Sequence, residues 1–239
     1  MSAGKRPVVS IVTSTYNRAD TIRRAIESVR AQDFTDWEMN IVGDCTPDDT
    51  EGTVRSYGDP RLRFHNLPEK SPPGSHGAIA KNHALFEMSR GEYIAYLDDD
   101  DIYRPNYLST MIGFMREHPG TVFAYCRCLY RDKKSGRRIW GNPFQRWMHG
   151  YSREKLRRYN FIDTDCVVHT RALLDDVGGW DPRYYYDDYE LWLRISEKHE
   201  LRYLNRVLVE KFVEEPPFLI RAISKGWRIL RHGRHTPVR

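Results

Sequence analysis

Two groups of acids carry most of the chemical content of this sequence. The first is Asp98-Asp99-Asp100-Asp101, four consecutive carboxylates directly behind Tyr93-Ile94-Ala95-Tyr96-Leu97. Adjacent aspartates repel one another and favour no regular element, so the run calls for a positive partner. A hard cation taking carboxylate oxygens is the simplest one. A merely solvated acidic turn would not need an apolar strand aimed at it. The second group is Asp187-Asp188-Tyr189-Glu190, which leads into Leu191, Leu193 and Ile195. Acids at that position suit the positive end of a helix.

The elements that must position these groups follow from the apolar pattern. Residues 8–14 are β-rich and nearly continuous in apolar character, as a buried parallel strand is, and end at Thr13-Ser14-Thr15-Tyr16-Asn17-Arg18. Ile22, Ala25, Ile26 and Val29 then repeat at helical spacing behind Asp20 or Thr21 as cap. Residues 37–42 form a second strand. It stops at Gly43-Asp44-Cys45-Thr46-Pro47-Asp48-Asp49, where Thr46 fits an N-cap and Pro47 a first helical position. A weaker strand covers 61–67. The loop Ser71-Pro72-Pro73-Gly74-Ser75-His76-Gly77 precedes a helix over about 78–89, and the central strand follows. Alternating strands and helices mean a mostly parallel, Rossmann-like α/β sheet flanked by helices. Ligands of such sheets bind at the carboxyl ends of the strands. Thr15-Tyr16, Asp44 and Asp98 to Asp101 all fall there, at one crevice.

The second half reads as a smaller extension of that sheet. A helix is expected over 107–117, a strand over 121–130, and a charged turn at Lys133-Lys134-Ser135-Gly136-Arg137 returning through Ile139-Trp140. Residues 147–159 read as irregular, a lid or acceptor loop. A short strand is expected over 165–169, then a short helix over 172–177 ending at Gly178-Gly179, a left-handed cap. One domain over residues 1–217 accounts for this without a linker. Beyond Phe218 no acid occurs; Leu219, Ala222, Ile223, Trp227 and Leu230 share one helical face, and Arg221, Lys225, Arg228 and His232 another. Residues 218–239 therefore read as a basic amphipathic helix, docked on the core or in peripheral contact with an anionic membrane surface.

Composition sets the outer bounds. With 239 residues the chain can bury a substantial core, and 15 Tyr and 6 Trp argue against disorder. A net charge of +5 suits an anionic partner such as a nucleotide diphosphate and does not select a nucleic acid. Cys45, Cys126, Cys128 and Cys166 form no CxxC pair and read as free thiols. Without a leader-like or membrane-spanning run, the expected location is cytoplasmic, with the inner membrane face an option for the tail. No Walker loop, GxGxxG or HExxH pattern occurs, so ATPases, dinucleotide dehydrogenases and zincins in their usual forms are set aside.

Taken together, Val9 to Arg18, the Asp44 to Thr50 turn, Lys81-Asn82, Leu97 to Asp101, Gly178 to Asp181 and Asp187 to Arg194 resemble family 2 glycosyltransferases of the GT-A fold. The resemblance spans about residues 8 to 205. It implies an inverting transferase that moves a sugar from a nucleotide-sugar donor, usually UDP-linked, to the hydroxyl of a glycan, lipid-linked or small-molecule acceptor. Residues up to about 101 would bind the donor and residues 102–217 face the acceptor. Thr13, Thr15, Tyr16, Arg18, Asp44, Lys81, Asn82, Asp98 and Asp99 would surround the donor. Tyr16 would offer its ring to the base, Asp44 would accept from the base imide, and Lys81 would neutralise phosphate where the family often has Arg. Asp98 and Asp100 match the DxD motif and would hold Mn²⁺ or Mg²⁺, whose charge assists departure of a nucleoside diphosphate. Asp188 matches the catalytic carboxylate and would act as general base. The sequence departs from the family at Gly43, where another Asp is common. Trp180 and Trp192 are candidate acceptor-pocket residues, with core packing the better reading for Trp192.

Two rivals remain at this level. A nucleotidyltransferase would carry a Gly-rich basic loop after the first strand, and Thr15-Tyr16-Asn17-Arg18 has no glycine. A non-catalytic membrane-surface or nucleic-acid-binding module with a degenerate transferase fold would be expected to lose one of the acids.

Overall fold

The computed structural model describes residues 6–139 and 150–214. Its spine is an eight-stranded sheet made of β1 (Val9–Thr15), β2 (Trp37–Gly43), β3 (Leu62–Asn66), β4 (Tyr93–Tyr96), β5 (Ile102–Tyr103), β6 (Phe123–Asp132), β7 (Val167–Thr170) and β8 (Arg202–Val213), in the order β3-β2-β1-β4-β7-β6-β8-β5. The first four strands are mutually parallel, with Val9 opposite both Trp37 and Tyr93. β7 is antiparallel to both β4 and β6, and β8 runs parallel to β6. The parallel half therefore delivers the ends of β1, β2 and β4 to one edge, as the alternating pattern predicts.

Seven helices cover this sheet among the described residues: α1 (Ile22–Arg30), α2 (Thr50–Arg55), α3 (Ala78–His83), α4 (Tyr107–Glu117), α5 (Arg153–Leu156), α6 (Leu173–Val177) and α7 (Asp187–Lys198). The period-two geometry of the strands sorts the core into two layers. Ile11, Met39, Ile41 and Ala95 face α1 and α4, while Val12, Val42, Ile94 and Tyr96 face α3 and α7. α1 buries Ile22, Ala25, Ile26 and Val29, the four positions picked out by helical spacing. On the other layer Trp192 is fully buried and packs edge-on against Phe123 and Trp180. Removing such a ring costs about 3–5 kcal/mol.

Several expectations are corrected. Thr46 is not the cap of α2; Asp49 is, accepting from the Gly52 amide at 3.1 Å. Thr46, Asp48 and Thr50 instead hydrogen-bond one another within the turn. Thr21 stands at the cap of α1 without a side-chain bond. The helix expected over 78–89 widens after His83 into a π-helical turn over Ala84–Met88, closed by Ser89 on the Ala84 carbonyl. The strand expected over 165–169 begins as a 3-10 turn, Thr164–Cys166. Residues 153–156, read as irregular, form α5 with Ser152 as cap. The charged turn does form a hairpin, with Arg131 bridged to Arg138; Trp140 and residues 147–149 lie outside the described residues. So does the amphipathic segment 218–239. Among the described residues no helix is long and apolar enough to cross a membrane.

One buried charge was hidden in an apolar run. Glu38 of β2 is 2% exposed and accepts from Ser10 Oγ at 2.7 Å and from the Arg90 amide at 2.8 Å, while Arg90 Nη2 reaches its other oxygen at 2.6 Å. Burial alone would raise its pKa, but these bonds outweigh it and keep the carboxylate charged. The cluster ties β1, β2 and the approach to β4 together at the edge opposite the crevice.

Candidate active site

At the carboxyl ends of β1 and β2 lies an open cleft of about 430 Å³, walled by Thr15, Tyr16, Arg18, Asp44, Asp99 and the 70–77 loop. Its floor is set by Asp44. One Asp44 oxygen accepts from the Ser71 amide at 2.9 Å and from the Ser71 hydroxyl at 2.5 Å, and the other pairs with Lys70 at 2.8 Å. Burial pushes its pKa up, and the Lys70 and Ser71 bonds more than reverse this, so Asp44 is an anion. Lys70 also sits 3.1 Å from the centre of the Tyr16 ring, a cation–π contact that pins the half-exposed tyrosine. The Tyr16 loop is anchored from below: the Asn17 amide donates to Thr46 Oγ1 and the Ala19 amide to Asp48, both at 2.8 Å.

Gly43 now has a local reason. A Cβ there would lie 2.5 Å from Asn66 Oδ1 and 2.9 Å from Thr46 Cγ2. Asn66 braces the turn after β2, accepting from the Thr46 amide at 2.9 Å and donating to the Thr46 carbonyl at 3.0 Å. The acid common in the family has no room beside that brace.

The acidic run splits in two. Asp99 and Asp100 turn toward the cleft. Asp99 is buried, the buried Thr15 hydroxyl has no hydrogen-bond partner among the described residues, and Arg18 is 3.9 Å from Asp99. Burial, with Asp98 and Asp100 nearby, lifts its pKa to about 6 despite Thr15 and Arg18. Asp100 pairs with Arg18 at 2.9 Å and Lys133 at 3.1 Å, and these cations hold its pKa low against burial. Asp98 and Asp101 turn the other way, toward Asp163 and Asp165. Lys211 of β8 stands among all four, with Nζ at 3.2, 2.8, 3.1 and 2.9 Å from Asp98, Asp101, Asp163 and Asp165. Burial opposes the ammonium, and the surrounding aspartates overturn that and keep it charged. Asp101 also accepts from the Phe212 amide at 2.7 Å, and Asp165 from the Asp98 amide at 2.9 Å.

Oxygens of Asp98, Asp101 and Asp165 lie within 4.8 Å of one another, a group whose donor type suits a hard divalent cation. The structure thus groups Asp98 with Asp101 and Asp165 around Lys211, while Asp100 pairs with Arg18 and Lys133.

Asp187 and Asp188 open α7. Lys81 Nζ pairs with Asp187 at 2.7 Å and lies 3.7 Å from the Trp180 ring centre. Asp188 accepts from Asn160 Nδ2 at 3.0 Å through one oxygen. Burial, and then the neighbouring Asp187 charge, raise the Asp188 pKa to about 7. This carboxyl can therefore take or give a proton near neutrality. Lys81 ties α3 to the start of α7 at Asp187, and His76 on the cleft wall packs edge-on against Tyr185 of the preceding turn, ring centres 4.2 Å apart.

Of the residues expected around a donor, Thr15, Tyr16, Arg18, Asp44 and Asp99 line the cleft, and Thr13, Lys81, Asn82 and Asp98 do not. Thr13 donates to the Leu97 carbonyl at 2.8 Å, fastening β1 to the acidic turn. Asn82 clamps the Trp180 backbone from both sides at 2.8 Å. Trp180 and Trp192, at 2% and 0% exposure, are core residues. Sequence reasoning missed Lys70, Ser71, Lys133, Asn160 and Lys211. Only Lys211 had a legible signal, a lysine inside an alternating β-rich run.

The sequence profile of Glycosyl transferase family 2 matches residues 10–177. An uncharacterised glycosyltransferase of Rickettsia typhi is 31% identical over 217 residues, covering 87% of this chain and 65% of that protein. The chain thus spans just under two thirds of that relative. The UDP-Glc:alpha-D-GlcNAc-diphosphoundecaprenol beta-1,3-glucosyltransferase WfgD of Escherichia coli is 30% identical over 198 residues, covering 83% of this chain and 73% of WfgD. Among solved structures, S. aureus TarS in complex with UDP-GlcNAc superposes with a TM-score of 0.69 at 18% identity, over 94% of this chain and 66% of that one. The mannosyltransferase PcManGT of Pyrobaculum calidifontis, in complex with GDP-Man and Mn²⁺, gives 0.68 at 17% identity over 96% and 69%.

Proposed function

The chain belongs to glycosyl transferase family 2 and has the GT-A fold, and on that footing we propose that it is an inverting transferase moving a sugar from a UDP-linked donor to a glycan hydroxyl in polysaccharide or glycolipid assembly. One observation carries the reading. A cleft with an anionic base acceptor and an open aromatic face meets, through the His76–Tyr185 contact, the turn that leads into a carboxyl titrating near neutrality. Tyr16 stacks on the base, and Asp44 accepts from its imide once Lys70 yields room. Arg18 and Lys133, which now pair with Asp100, are the cations a diphosphate would draw on. Asp188, ionised and steadied by Asn160, takes the proton from the acceptor hydroxyl as that oxygen attacks the anomeric carbon and the bond from that carbon to the diphosphate oxygen breaks, so a single displacement releases UDP and inverts the centre.

The acidic run fits a divalent metal in donor type, since its ligands are oxygens only. Asp98, common to the expected DxD pair and to the observed carboxylate group, is half-exposed and would give up its Lys211 contact to hold Mn²⁺ or Mg²⁺, which would supply the charge that neutralises the leaving diphosphate. The name of the E. coli relative, a glucosyltransferase acting on a diphosphoundecaprenol-linked sugar, supports a lipid-linked acceptor. Residues 218–239 would then bring the domain to the membrane surface, and their deletion would abolish sedimentation with anionic liposomes.

The test is nucleoside diphosphate release from UDP-, GDP- and dTDP-sugars with Mn²⁺ or EDTA, with thermal-shift binding in the same samples. Metal-dependent release from a UDP-sugar, lost in Asp188→Asn, is expected. Absence of metal-dependent nucleotide binding altogether would defeat the proposal.

A further inference from the structure

Four large apolar side chains stand exposed among the described residues: Tyr16, Phe86, Tyr185 and Tyr186. Tyr16 belongs to the cleft. Tyr185 and Tyr186 sit side by side on the turn directly ahead of Asp187 and Asp188, at 53% and 41% exposure. Adjacent exposed aromatics are costly to leave in water and mark contact sites. Their rings meet edge to face, with centres 4.9 Å apart and planes at 79°. Tyr185 is further fixed by the His76 ring, at 72° and 4.2 Å. The pair is thus an oriented surface whose ordering cost is met before any ligand arrives.

We propose that Tyr185 and Tyr186 form the acceptor platform, on which a sugar ring of the glycan acceptor rests by its C–H face beside Asp188. This rests on the glycosyl-transfer reading and assigns its acceptor side. A sugar ring has an apolar C–H face and a rim of hydroxyls, and tyrosine matches it with a flat ring and a polar tip. Two rings are far too small for a stable protein interface, which buries about 1,600 Å². The acids beside it are paired, Asp187 with Lys81, Glu190 with Arg194 and Asp181 with Arg183, so the patch offers no surplus cation to hold an anionic membrane. A neutral glycan ring is the occupant that fits both the shape and the charge. The position also serves the chemistry: His76 lies between the platform and the cleft, so an acceptor held there faces a donor held against Tyr16 and Asp44.

The test uses saturation-transfer NMR on the full chain with methyl glycosides of glucose, galactose, mannose and N-acetylglucosamine, and UDP binding by thermal shift in parallel. Wild type should give a signal on ring-face protons of at least one glycoside. Tyr185→Ala with Tyr186→Ala should weaken that glycoside about tenfold, Tyr185→Trp should retain it, and UDP binding should match wild type in Tyr186→Ala alone, which weakens the glycoside while keeping the Tyr185–His76 contact on the cleft wall. The inference is overturned by no glycoside signal from wild type, or by equal signal from the double variant. Phosphatidylglycerol vesicles provide the rival surface, and vesicle binding lost in the double variant with glycoside signal intact would assign the patch to membrane instead. Loss of UDP binding from wild type itself would overturn the transfer reading as well as the platform.

Discussion

Replacing Asp188 by asparagine should separate catalysis from stability, and in opposite directions. The Asp188 carboxyl has a folded pKa of about 7 against an ordinary value of 3.8, because burial and the Asp187 charge disfavour its anion. The folded protein thus binds this proton more tightly than the unfolded chain. Stability contributed at this site is highest at acid pH, falls as pH rises through the ordinary value, and levels off above about 7. The difference of about three pH units corresponds to a ceiling of about 4 kcal/mol at 1.36 kcal/mol each. Asp188 keeps partial exposure, so solvent screens some of that, and about 2 kcal/mol is the working figure. Asp188→Asn keeps the shape, can still accept from Asn160, and removes the charge. Its melting temperature at about pH 8 should rise by roughly 4–8 °C. Its transfer rate should fall by about 10²–10⁴-fold, the usual share of a positioned base. UDP binding should be unchanged. In wild type, kcat/KM should climb with pH until the carboxyl is ionised near 7 and then level, and the variant should lack that rise. A variant active within tenfold of wild type would refute the base assignment. A variant melting below wild type would refute the electrostatic argument.

Further outcomes can be checked with single substitutions. Asp44→Asn should weaken UDP binding about tenfold to a hundredfold by calorimetry, the worth of a charge-assisted hydrogen bond, while leaving the fold intact. Lys211→Met strips the ammonium from among four aspartates and should cost about 3–5 kcal/mol in urea unfolding; adding Asp165→Asn should recover part of it. Gly43→Ala forces a methyl group against Asn66 and Thr46, and should cost about 1–3 kcal/mol with weakened UDP binding, because the turn carrying Asp44 must shift.

Much of the nucleotide-side architecture was legible because its signals are local. β1, α1, β2 and β4 each announce themselves by apolar periodicity, and a parallel sheet then brings Tyr16, Asp44 and Asp99 to one edge whatever the details. What escaped is what depends on chain segments far apart. The sequence does not show that Arg18 and Lys133 flank Asp100, nor that Thr13 and Asn82 bond the backbone of Leu97 and Trp180. Trp180 reads as available for the acceptor, yet it is buried against Trp192 of α7, while Tyr185 and Tyr186 further along the chain are exposed. The two-residue β5 is too short to leave a pattern, and β8 pairs with it antiparallel, so the lysine inside the β8 run is visible in the sequence while the acids it meets follow from no local rule.

Lys211 reaches Asp98 across 113 positions of chain, which has a bearing on how the protein is made. During synthesis the acidic turn leaves the ribosome long before the residue that balances it. A nascent chain ending near residue 150 holds the base-binding cleft but carries its aspartates without the ammonium, so donor affinity should arise late, only once β8 has been translated and has slid in beside β6. Any attempt to express the donor half by itself, or to split the chain after the acidic turn for reassembly, meets the same obstacle. A permuted chain that opens the loop before β8 but keeps the strand tethered would keep the balance.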